Sequence, residues 1–103
     1  MESHIVMEVV HFQSNVGVTS IQLIEAAQAM LATLQGWSGF ISRELVEVGD
    51  GQWIDVVHWQ TAEDAMTAQE KAMQSPICLN YFSLMQASEE QMFHGNIVLK
   101  QTQ

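Results

Sequence analysis

Between residues 4 and 13 the chain reads HIVMEVVHFQ, rich in β-branched and aromatic side chains, and the run predicts a first strand. The polar, glycine-containing stretch SNVGV breaks it. TSIQ then supplies a capping box, in which Thr19 accepts from the backbone near Gln22 and Gln22 reaches back. Ile21, Ile24, Leu31 and Leu34 recur at helical spacing among alanines, and Gly36 stops this helix. GFISRELVEV (39–48) predicts a second strand, GDGQ a hairpin, and QWIDVVHWQ a third strand antiparallel to the second. The pattern then turns helical, with Thr61 as N-cap and Asp64 three residues on. Pro76 ends or kinks that helix at Ser75. ICLNYFSLMQ continues helically with Cys78, Phe82 and Met85 on one stripe, and MFHGNIVLK predicts a fourth strand.

The order β-α-β-β-α-β within a single domain, residues 1–103, is the ferredoxin-like α+β arrangement: an antiparallel sheet with helices on one face. Nearly half of the residues, 48%, are hydrophobic. A chain of this length buries only about two thirds of its unfolded surface, so the surplus is expected on the uncovered sheet face. Such a patch marks a subunit interface, most simply that of a twofold homodimer.

Twelve acids against three bases give a net charge of −9, and Arg43, Lys71 and Lys100 are scattered. Phosphate backbones and anionic membrane surfaces are repelled by such a chain, which argues against nucleic-acid and membrane partners. Cys78 is the only cysteine, so no intrachain disulfide forms. MESHIVMEVVHF has no basic segment ahead of a long apolar one, and no apolar run reaches the roughly 20 residues of a membrane span. A cytoplasmic protein is the expectation.

Candidate chemistry gathers in WIDVVHWQTAED, residues 53–64. Strand alternation puts Trp53, Asp55, Val57 and Trp59 on one face. A carboxylate between two tryptophans is costly unless paired, and burial disfavours its charged form. Asp55 is therefore either half exposed or bonded to a neighbouring strand, or else a general base for an aromatic substrate. Trp59 is either core or cleft wall, and Trp53, nearer the hairpin, either packing or pocket rim. His11 shares its strand face with Ile5, Met7 and Val9; paired with Asp55 across the sheet, it would be the better base near neutral pH. Tyr81 and Phe82 lie beyond the Pro76 break, where Tyr81 either bonds a substrate carbonyl or packs with its hydroxyl at the surface. Cys78 has no basic neighbour and is expected to be inert. No H-x-x-x-H or H-x-x-E spacing supports a metal site.

The element order, with W-x-D-x-x-x-W-x-T-x-E-D joining the third strand to the second helix, resembles the dimeric α/β-barrel superfamily, and within it the antibiotic biosynthesis monooxygenase group. The resemblance implies two sheets packed back to back, with one cleft per subunit between sheet and helices. Some relatives oxidise aromatic polyketides or quinols with dioxygen and neither metal nor flavin; others degrade haem. In the cofactor-free oxygenases an Asn typically stands four residues before the Trp, where this chain has Asp55. In the haem-degrading members a first-strand Asn lines the cleft, where His11 falls, and a second-helix His ligates the iron, whereas residues 62–87 hold no histidine. The resemblance thus implies a cofactor-independent monooxygenase acting on a small electron-rich aromatic, with His11, Asp55 and Trp59 catalytic and Trp53, Tyr81 and Phe82 binding substrate. The alternatives are a non-catalytic protein that binds a small apolar ligand and, third, a haem oxygenase.

Overall fold

The computed structural model describes residues 4–86 and 91–102. Its elements are β1 (Val6–Gln13), α1 (Ser20–Gln35), β2 (Phe40–Gly49), β3 (Gln52–Trp59), α2 (Ala62–Ala72), α3 (Pro76–Phe82) and β4 (Gln91–Asn96). The antiparallel sheet has the order β2-β3-β1-β4. This is the ferredoxin-like α+β fold, with the second helical region divided in two at Pro76. Ser75 caps α3 through the backbone N–H of Cys78, and Pro76, which has no N–H to satisfy, occupies its first turn. The capping box at Thr19 and Gln22 and the Thr61 cap on Asp64 form as the sequence implies.

The hairpin between β2 and β3 needs left-handed backbone, which Asp50 (φ 54°) and Gly51 (φ 77°) provide. Gly39 also has positive φ, and its carbonyl accepts from Gln60 N–H at 2.8 Å, tying the start of β2 to the end of β3. A Cβ at this position would overlap the Asp64 side chain in the first turn of α2.

Strand parity sorts the chain into two faces. Val6, Phe12, Trp53, Val57 and Trp59 face the helices and are buried. The helix side contributes Leu23, Ala26, Ala27, Met30 and Leu34 from α1, Ala65, Ala68 and Ala72 from α2, and Cys78 and Tyr81 from α3. This corrects the stripe expected on α1: Ile21 and Ile24 are 68% and 39% exposed, and of the four expected residues only Leu34 is fully buried. The buried stripe is rotated onto the alanines because small side chains let a helix approach the sheet more closely.

Among the described residues, no helix covers the opposite sheet face. It carries Ile5, Met7, Val9 and His11 from β1 and the segment before it, Ile54, Val56 and His58 from β3, and Phe93 from β4. Phe93 is 56% exposed and Ile5 42%. Among the described residues, no helix is long and apolar enough to cross a membrane.

Candidate functional site

Between the sheet and α1, α2 and α3 lies a cavity of about 270 Å³. Protein interiors hold few voids larger than a water molecule, so a space of this size is a pocket rather than a packing defect. Its walls are Trp37, Trp59, Leu79 and Phe82 with four methionines, Met30, Met73, Met85 and Met92. Thioether side chains make an apolar wall that adapts to ligand shape. Two carboxylates, Glu8 and Asp55, and the Tyr81 phenol also line it.

Asp55 sits at one end and is 5% exposed. Arg43, two positions along β2 from its Leu45 partner, grips it as a fork: Nε donates to Oδ1 at 3.0 Å and Nη2 to Oδ2 at 2.6 Å. Arg43 Nη1 donates to the Ala27 carbonyl of α1 at 2.8 Å. The Tyr81 hydroxyl donates to Asp55 Oδ2 at 2.7 Å, and the Arg43 guanidinium lies 5.0 Å from the Tyr81 ring centroid. Burial works against the Arg43 cation, but the hydrogen bond and charge of Asp55 outweigh it and raise its pKa. Burial, then the charge of Asp55, pushes the Tyr81 phenol far above its ordinary range, so it stays a proton donor. The three side chains form a closed network linking β2, β3 and α3. Bidentate pairing makes this burial tolerable, because both carboxylate oxygens taken from water are given back donors, one on Oδ1 and two on Oδ2.

Glu8 is different. It lies on β1 in the buried face Val6-x-Glu8-x-Val10-x-Phe12, and its Oε1 accepts from the Trp59 indole N–H at 2.9 Å. Among the described residues the only ion pair is Arg43–Asp55, so no cation sits on this carboxylate. Burial raises its pKa above 4.5, against the Trp59 hydrogen bond and the charge of His94, its partner across the sheet on β4. Asp55 adds to the rise and Arg43 opposes it.

The structure therefore brings Asp55, Trp59, Tyr81 and Phe82 into one cavity and leaves two expected residues outside it. Trp53, 3% exposed, lines a separate groove between α1 and β2 on the far side of Arg43. His11 pairs with Ile54 while Val10 pairs with Asp55, so the pleat turns His11 to the open face. The expected His11–Asp55 pair is corrected accordingly. Tyr81 is also corrected: its hydroxyl is buried on Asp55 rather than at the surface. Trp59 is 1% exposed and packs edge-on to Phe40, with ring centroids 5.7 Å apart.

Two residues, Glu8 in the cavity wall and Arg43 behind Asp55, escape a reading by motif. Arg43 is scattered among distant bases in the sequence, and only sheet register delivers it to Asp55. Glu8 did leave a signal: it interrupts Val6, Val10 and Phe12 on one strand face as Asp55 interrupts Trp53, Val57 and Trp59. No histidine or cysteine lines the cavity among the described residues and the Tyr81 oxygen is committed to Asp55, so the soft donors it offers a haem iron are methionine thioethers, without the usual proximal imidazole or thiolate. No group of three or more potential metal ligands occurs among the described residues.

No protein-family model matches the chain, and no curated protein matches it in sequence. Solved structures do match it in shape over nearly its full length. SnoaB, a cofactor-independent oxygenase from Streptomyces nogalater, superposes with a TM-score of 0.64 at 16% identity, covering 97% of each chain. A candidate antibiotic biosynthesis monooxygenase from Bordetella bronchiseptica gives 0.71 at 17% identity, covering 93% of this chain and 99% of the other. A haem-degrading protein from Mycobacterium tuberculosis gives 0.63 at 15% identity, covering 99% and 100%. At such identities the likeness concerns the fold, which hosts several chemistries. The chain thus has the subunit fold of the antibiotic biosynthesis monooxygenase-like proteins, as its sequence resemblance implies.

Proposed function

We propose that this protein is a cofactor-independent monooxygenase acting on a small electron-rich aromatic of the polyketide or quinol type. The observation that carries the reading is the apolar cavity beneath the helices, walled by Trp59 and Phe82, of a size for a small aromatic and holding two carboxylates. In this chemistry the substrate's own carbanion reduces dioxygen. For an aromatic methylene, one oxygen atom ends on the carbon as a carbonyl and the other leaves as water, so no external reductant is needed. The protein has to bind the ring, orient it, exclude water and receive a proton. Trp59 and Phe82 are the faces against which the ring lies, and Asp55 holds Arg43 and Tyr81 at the closed end. The open sheet face, with Ile5, Val9, Ile54 and Phe93, is the surface through which two copies form a homodimer, and a cytoplasmic location belongs to the same proposal.

The test is oxygen uptake by the purified protein with anthrones, naphthoquinols and simple hydroquinones. Protein-dependent uptake that falls about a hundredfold in Trp59→Phe, as misplacement of a bound ring predicts, supports the reading. One observation favours a second reading, a binding protein without turnover: all the hydrogen bonds Asp55 accepts are already made within the chain. Tryptophan quenching by these compounds with no uptake across the panel decides for that alternative.

A further inference from the structure

The oxygenase reading needs a proton acceptor, and the residue that sequence spacing singles out is poorly placed to be one. Asp55 accepts three hydrogen bonds, two from a cation, and protonating it would break a buried ion pair. His11 is on the other side of the sheet. Glu8 faces the same cavity with one oxygen held by the Trp59 indole, while its Oε2 has no hydrogen-bond partner among the described residues.

We propose that Glu8 is the catalytic base of this cleft, taking the substrate's proton on Oε2 while Trp59 holds Oε1 and fixes the plane of the carboxylate. The inference rests on the oxygenase reading and names the residue that would begin the reaction. In the step, the substrate C–H bond breaks and its electron pair stays on the ring as a delocalised carbanion. The proton goes to Glu8 and leaves for solvent past His94, which lies directly across the sheet and is exposed.

Three features of the geometry support the assignment. The indole N–H bond means that a ring against Trp59 also lies beside the Glu8 carboxylate, so binding and proton transfer share one orientation. The cavity lining is mostly apolar, and burial raises the affinity of the Glu8 carboxylate for a proton, which strengthens it as a base relative to one in water. The charged and titratable groups facing it are few: His94 on β4 and Arg43 on β2 favour the carboxylate, Asp55 on β3 opposes it, and Tyr81 on α3 stays neutral.

The experiment uses 1,8-dihydroxyanthrone with wild type, Glu8→Gln, Glu8→Asp and His94→Gln. It records oxygen uptake against pH in air and, without oxygen, deuterium exchange at the anthrone methylene by NMR. Glutamine still accepts from the Trp59 indole, so Glu8→Gln is expected to fold and to bind the unreactive 1,8-dihydroxyanthraquinone with unchanged quenching. Its turnover is expected to fall about a hundredfold or more, the usual contribution of a positioned base. Glu8→Asp should recover part of the rate and keep an acid limb in the pH profile. His94→Gln removes a charge that favours the carboxylate, so the limb should move to higher pH. Uptake within a few fold of wild type in Glu8→Gln overturns the role of Glu8 and leaves the oxygenase reading standing. No uptake by wild type, with methylene exchange that Glu8→Gln abolishes, overturns the oxygenase reading and upholds Glu8. Neither uptake nor exchange by wild type overturns both.

Discussion

Asp55→Leu tests the energetic account of the cavity's closed end. The Arg43 and Asp55 side chains are 5% and 7% exposed, and the guanidinium keeps only the Ala27 carbonyl and the Met30 sulfur once the carboxylate is gone. Removing one member of a buried pair costs about 3–5 kcal/mol, because the other charge stays buried without compensation. That is a large part of a typical domain's stability of about 5–15 kcal/mol. In urea, with a slope of about 2 kcal/mol per molar, the unfolding midpoint should drop by about 2 M. The double variant Arg43→Met/Asp55→Leu removes both charges and should recover most of the loss. The Tyr81 hydroxyl then remains buried without its acceptor, at a cost of about 1–3 kcal/mol. Adding Tyr81→Phe should remove that residual cost too. Tryptophan fluorescence in urea follows all four proteins, provided the slopes agree. A loss under about 1 kcal/mol in Asp55→Leu, or a double variant no more stable than the single one, refutes the claim that a desolvated charge network closes the cavity.

Glu8→Gln should change stability in a pH-dependent way with a fixed sign. Burial raises the Glu8 pKa above 4.5, so the folded state binds this proton more tightly than the unfolded chain does. The carboxylate therefore costs stability progressively as pH rises from the unfolded value through the raised one. The variant should be more stable than wild type above that window and nearly equal below it; denaturant midpoints at pH 4 and pH 7.5 read the difference, and a gain confined to the acid side refutes it. Gly39→Ala should lower stability by more than about 1 kcal/mol, since it combines positive φ with overlap on Asp64, and a neutral thermal melt would disprove that. Ile54→Glu puts a charge on the open sheet face next to His11 and Val56; sedimentation should then give a monomer where wild type gives a dimer, and an unchanged dimer sinks the proposed interface.

The local chemistry of the chain was legible from sequence. Thr19 and Thr61 start their helices because a hydroxyl can satisfy a backbone N–H within one turn, and Asp50 and Gly51 reverse the chain because they tolerate positive φ. These interactions span a few residues, so composition and spacing suffice to place them. Strand parity belongs to the same class and correctly put Trp53, Asp55, Val57 and Trp59 on one face. Spacing pointed to the wrong stripe of α1, since Ile21 and Ile24 satisfy helical periodicity as well as the buried Leu23, Ala26 and Ala27 do, and periodicity alone does not say which side meets the sheet.

What parity on one strand cannot supply is its phase against another. Whether His11 or Glu8 shares a side with Asp55 depends on pairing Val10 with Asp55, and a shift of one residue would have exchanged them. The same holds for Arg43, which reaches Asp55 only through the β2–β3 register, and for Tyr81, whose hydroxyl is brought to Asp55 from α3, 26 positions along the chain. The sequence by itself determined the elements, their order and the face of each strand that is apolar. The tertiary structure decided which charges meet, because ion pairs and proton acceptors are set by distances of a few ångströms between residues far apart in the chain.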